Sequence, residues 1–204
     1  MSTGKQIVIA LAWFSVASPG FAADFSDPAW PCVQRKVEDL SLGLMWPHPI
    51  SDAEISALNP EIDEIAGLLA LRRIELGELQ PQVAAFAARH KGNPEVLGWV
   101  FQHVFDTLSD RRKRIIGGIG EFSLKQIDLA SQIDLARAEM DQALTADTLD
   151  YDKVDALEEQ LDWDQLIYTD RQRSITYLCE TPQIIERRLF AISQMLQQLT
   201  ADQG

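Results

Sequence analysis

The chain has 204 residues, 46% of them hydrophobic, with 31 acidic against 18 basic side chains and a formal net charge of −13. Such acidity argues against a nucleic-acid binder, whose phosphates would be repelled, and against docking on anionic lipid headgroups. The length suits one domain with a modest core.

The first residues read as a leader. Lys5 precedes an apolar run from Ile7 to Val16, and Gly20-Phe21-Ala22 offers a small-x-small exit. That order is the pattern of a secretory signal over residues 1–22. The run is too short to span a bilayer, which needs roughly 20 residues, and no later segment could span one. The expected product is therefore periplasmic or secreted, with no stable membrane anchor, and residues 23–204 form a single helical domain. Cys32 and Cys179 both fall in that part, and an even count in an oxidising compartment reads as one disulfide. Closing so long a loop is worth roughly 4–5 kcal/mol in the chain-entropy treatment.

Residues 23–93 are expected to form an N-terminal strap followed by short helices. Asp24 to Pro31 reads as extended, with Phe25 and Trp30 as buried pegs. Cys32 to Leu44 reads as a short helix, stopped by Pro47 and Pro49. Ser51 and Glu54 have the spacing of a capping box, and Asn59-Pro60 opens the next helix with a side-chain cap and a first-position proline. Ile62, Ile65, Leu68, Leu69 and Leu76 recur at helical spacing, and Gly77 should break or bend that run. Leu79 to His90 continues it with Val83, Phe86 and Ala87 inward. Lys91-Gly92-Asn93-Pro94 is a helix stop followed by a helix start.

Residues 94–204 should then form a long helical hairpin. Phe101, Phe105, Leu108, Arg112, Ile115, Ile119, Phe122, Gln126, Leu129, Ile133, Ala136, Met140 and Ala143 alternate in steps of four and three. The return keeps that rhythm through Val154, Leu157, Leu161, Asp164, Tyr168, Arg171, Ile175, Leu178, Pro182, Ile185, Leu189, Ile192, Leu196 and Leu199. A step averaging about 3.5 residues keeps one stripe facing one partner, as a coiled-coil seam requires. The short polar tip makes the arms antiparallel. The fold class is thus all-α, a coiled-coil-like hairpin with the shorter helices packed on its base and a bare two-helix rod towards the tip. Pairing Ala143 with Val154 sets Gly117, Gly118 and Gly120 opposite Pro182. Both residue types weaken helices, so a shared bend, braced by the disulfide, is expected there.

Chemistry-bearing motifs are sparse. HExxH, CxxCH, Glu-x-x-His and Gly-rich phosphate loops do not occur, so neither an enzyme, a cofactor nor a metal is expected. Met45 with His48 would suit copper, but two ligands are too few. Asp147, Asp150, Asp152 and Asp155 crowd the tip, where carboxylates cap a helix N-terminus, although they could also dock a basic partner or hold a calcium-type cation. Arg111, Arg112, Lys113, Arg114, Arg187 and Arg188 give the base the opposite sign. Leu124, Ile127, Leu135, Trp163, Leu166 and Ile167 lie off the seam in the rod half and read as an exposed apolar patch for self-association or a protein partner.

Leu199-Thr200-Ala201-Asp202-Gln203 fits an LTxxQ motif and, with export and a helical hairpin, resembles the periplasmic helical-hairpin chaperones of the CpxP and Spy group. That resemblance implies a dimeric binder of apolar client segments. The long arms and the disulfide depart from the group's pattern. The leading functional expectation is an exported scaffold or adaptor acting through protein–protein contacts in an envelope assembly. A chaperone-like binder is the alternative, and a small-molecule or metal carrier the third reading.

Overall fold

A computed structural model describes residues 27–51 and 59–200. The leader, Phe25, Glu54 of the capping box and Gln203 of the C-terminal motif lie outside those residues. Among the described residues four helices follow a 3₁₀ turn at Leu42–Leu44: α1 (Asn59–Ala70), α2 (Leu76–Arg89), α3 (Pro94–Leu144) and α4 (Tyr151–Gln197). No strand occurs among the described residues. The 51 residues of α3 make a rod about 75 Å long at about 1.5 Å per residue.

Local chemistry sets the ends of the two arms. Lys91 and Gly92 take positive φ after α2, and the Gly92 amide bonds back to the Ala87 carbonyl, closing the helix in the left-handed manner glycine permits. One residue on, the Asn93 Oδ1 accepts from the Glu95 amide at 2.8 Å, with Pro94 as the first helical residue of α3. At the tip, Asp150 accepts from the Lys153 amide and starts α4.

α3 and α4 pack against one another along the seam. Phe101, Phe105, Leu108, Arg112, Ile119, Gln126, Leu129, Ile133 and Ala136 are buried on α3, facing Leu157, Leu161, Pro182, Ile185, Leu189, Ile192 and Leu196 on α4. Two positions differ from the simple alternation. Ile116 and Ser123 are buried, while Ile115 and Phe122 are only half-buried. The cause is a second neighbour at that level: the strap covers the flank of α3, Ile116 packs with Trp30 and the cystine, and the Ser123 hydroxyl donates to the Pro28 carbonyl at 2.7 Å. Arg171 departs in the other direction and is exposed, so the α4 seam is loose between Asp164 and Ile175.

The main core lies at the base, where α1 and α2 close over the start of α3 and the end of α4. Ile62, Leu69, Val83, Phe86, Leu97, Phe101, Leu108, Ile185, Leu189, Ile192 and Leu196 are essentially inaccessible there. Trp46 stacks on Phe101 from the strap side. A smaller apolar cluster of Leu129, Ile133, Ala136 and Leu161 packs the rod half, with Met140 and Tyr168 beside it, and the Gln126 amide donates to the Tyr168 carbonyl across the arms.

Three sequence expectations need correction. Cys32 to Leu44 is not a helix: it is irregular, with a bend at Val33 and Gln34, until the 3₁₀ turn at its end. Val33, Val37 and Leu40 have helical spacing, but Val33 and Val37 are exposed, and the backbone is held by tertiary partners instead. Arg112 takes the Val37 and Glu38 carbonyls and the Trp30 indole takes that of Gln34, so captured backbone outweighs local propensity. The break between the short helices falls at Leu71–Glu75, and Gly77 sits inside the first turn of α2. The helical run expected to continue from Ile62 to Leu76 stops at Ala70 because Arg188 binds the carbonyls of Leu69 and Ile74 and Arg111 that of Ala70.

Candidate interaction surface on the rod

The Cys32–Cys179 disulfide is present and joins residues 147 apart. With Trp30, Ile116 and Ile119 it forms a compact plug between strap and hairpin, beside Gly117, Gly118 and Gly120 on α3 and a turn before Pro182 on α4. Both arms run as unbroken helices through those four residues. Gly117 and Gly118 face open space, whereas a methyl group on Gly120 would approach the Ala29 carbonyl at 3.3 Å, so the strap crosses the helix directly over Gly120.

The basic cluster at the base is taken up internally. Arg112, almost wholly buried, donates to Glu186 Oε1 at 2.7 Å and to the carbonyls of Val37 and Glu38 at 2.6 and 3.0 Å. Lys113 pairs with Asp39, which raises the lysine pKa through their hydrogen bond. Arg188 and Arg111 bind the C-terminal carbonyls of α1, where a cation complements the helix dipole. Partial burial lowers the Arg188 pKa. Arg114 and Arg187 remain exposed.

Among the described residues, only α3 and α4 continue past the contact of Pro28 with Ser123. The tip carboxylates Asp147, Asp150, Asp152 and Asp155 are all exposed, and Asp150 is the α4 cap. Among the described residues no group of three or more His, Cys, Asp or Glu side chains could hold a metal ion. Lys153 crosses to Glu139 at 2.8 Å, and their hydrogen bond raises the lysine pKa.

Leu124, Ile127, Leu135, Trp163, Leu166 and Ile167 are all exposed, Leu135 to 68% and Trp163 to 59%. They do not share one face. At about 100° per residue, Leu124, Ile127 and Leu135 sit roughly 140–160° from the buried seam of α3, pointing away from α4. Trp163 and Leu166 likewise point away from α3. Ile167 lies at the side, in a crevice with Lys125, Asp128, Gln132, Asp164 and Arg171. The rod therefore carries two apolar faces back to back rather than one patch. On α4, Trp163 and Leu166 share an open outer face with Asp155, Glu158, Glu159 and Asp162.

Sequence reasoning passed over several contacts that fix the base. The Ser193 hydroxyl and the Gln197 amide both donate to the Met45 carbonyl, and the Trp99 indole donates to the Ser51 carbonyl. The signal for Arg112 was available, because it is a cation on an otherwise apolar seam. Neither family models, nor curated proteins, nor solved structures match this chain.

Proposed function

We propose that the protein acts in the cell envelope or outside it, as a scaffold or adaptor whose rod half docks protein partners. The observation that carries this reading is the division of the hairpin: one half is enclosed by α1, α2 and the strap, while the other displays large apolar side chains to solvent on both outer faces. Exposed apolar surface is retained on a folded protein mostly where something covers it. The disulfide fits an oxidising compartment, and no helix among the described residues is long and apolar enough to cross a membrane. Catalysis, a cofactor and a resident metal form no part of the proposal.

The test is to replace Trp163 and Leu166 with serine. Sizing chromatography and capture from envelope extract should then show lost association, with the circular dichroism of the helices retained. Unchanged association in both measurements contradicts the proposal. Chaperone-like shielding of apolar client segments is a second reading, favoured by the same pair of separated apolar faces. Dose-dependent suppression of client light scattering by the parent, lost in the Trp163→Ser/Leu166→Ser variant, selects it over a scaffold.

A further inference from the structure

The outer face of α4 has a chemistry of its own. Asp155, Glu158, Glu159 and Asp162 flank Trp163 and Leu166, with no cation among them. All six belong to one helix and span about 140° of its circumference, the outer side relative to the seam. Resting on the reading above, we propose that this face binds a cationic amphipathic helix, its apolar residues on Trp163 and Leu166 and its lysines or arginines beside the four carboxylates.

Charge complementarity selects that occupant over a second copy of the chain. A two-fold dimer through this face would set the same four carboxylates against themselves, and like-charge juxtaposition across an interface is strongly unfavourable. A head-to-tail contact would need a basic surface elsewhere. The base supplies little, since Arg111, Arg112, Lys113 and Arg188 are engaged within the molecule and only Arg114 and Arg187 of that cluster are left exposed without an ion pair among the described residues. A foreign helix with basic flanks satisfies the apolar residues and the carboxylates at once. Its Lys or Arg side chains can also lie over the Trp163 ring, a contact that strengthens as water leaves.

Trp163 supplies the reporter once Trp13 is replaced by phenylalanine, because Trp30, Trp46 and Trp99 are buried. The full chain is titrated with a synthetic Lys/Leu amphipathic helical peptide, with a Glu/Leu peptide of the same apolar pattern and with phosphatidylglycerol vesicles. The Lys/Leu peptide should shift the indole emission to shorter wavelength and saturate, and the other two probes should not. Neutralising Glu158, Glu159 and Asp162 to their amides should weaken binding by about tenfold. An equal charge change at Asp134, Asp141 and Asp147 should weaken it less than about threefold, and Leu166→Asp should cost about tenfold with the carboxylates intact. Equal losses from the two triple variants, a Trp163→Phe protein that loses the emission change but binds a labelled peptide through other residues insensitive to Leu166, or an equal response to the Glu/Leu peptide or the vesicles would overturn the assignment. Such a failure is separable from failure of the docking reading, which is measured by sizing and capture without any peptide.

Discussion

Arg112 is where the structure makes its sharpest energetic claim. Its guanidinium is buried in the seam and ties three things together: Glu186 on α4, the strap carbonyls of Val37 and Glu38, and α3 itself. Arg112→Met keeps most of the apolar stem and deletes all three hydrogen bonds. Bonds from a charged donor are worth about 1.5–3 kcal/mol each when both partners are buried. Here Glu186 and the strap residues are partly exposed and can rehydrate, which reduces each to about 1 kcal/mol. The expected loss is about 3 kcal/mol, or a fall in Tm of roughly 6–12 °C for a domain of this size. Arg112→Lys keeps a charge but not the planar fork, and should lose about half as much. Urea unfolding followed by far-ultraviolet circular dichroism measures both. Trypsin gives an independent readout, since Arg35 and Lys36 lie exposed in the strap and should be cut faster in Arg112→Met. A methionine variant as stable as the parent would refute the reasoning. It would mean that the desolvation of the guanidinium cancels what its three partners return.

Other outcomes follow from the same contacts. Gly117→Ala and Gly118→Ala meet nothing within 4 Å and should each raise stability by about 0.5–1 kcal/mol in urea titrations, through helix preference alone. Gly98→Ala should lower it by about 1–3 kcal/mol, because the added methyl would lie 3.0 Å from both the Ile50 Cγ1 and the Trp46 Nε1. Glu61 bonds to Arg89 at 3.2 Å and approaches His90 at 3.5 Å, and those contacts, the Arg89 bond first, hold its carboxyl below the usual range. A lowered folded-state pKa contributes stability above the unfolded value, lost as pH falls through the folded one. The parent should therefore be more stable than Glu61→Gln at about pH 6 and equal to it at about pH 3; a difference that persists or grows in acid contradicts the assignment.

The hairpin was legible because its signal is repeated many times over. A seam with a constant period specifies both helix and partner face, and antiparallel pairing follows from a tip too short for anything else. The disulfide pairing needed only two cysteines and an oxidising compartment. Cys32 to Leu44 reads as a helix because Val33, Val37 and Leu40 mimic a helical face over barely two turns. Nothing in that stretch announces that Arg112, 75 residues away from Val37, will take its carbonyls. Ile116 and Ser123 replaced Ile115 and Phe122 in the buried set for the same reason: a periodicity argument sees one partner helix, and the strap is a second. In the interaction surface, exposure was readable from position on the rod. The division into two faces was not, because six off-seam residues look like one set until the azimuth of each is counted from its own seam.

Everything functional rests on half of the hairpin standing clear of the base, and small-angle X-ray scattering on the full chain tests that directly. A rod containing the 51-residue α3 predicts a longest dimension of about 75 Å or more and a pair-distance distribution with an extended tail. A radius of gyration near the roughly 16–17 Å of a compact domain of this length, with a symmetric distribution, would mean that the arms fold back on the base and that no free rod exists to bind anything.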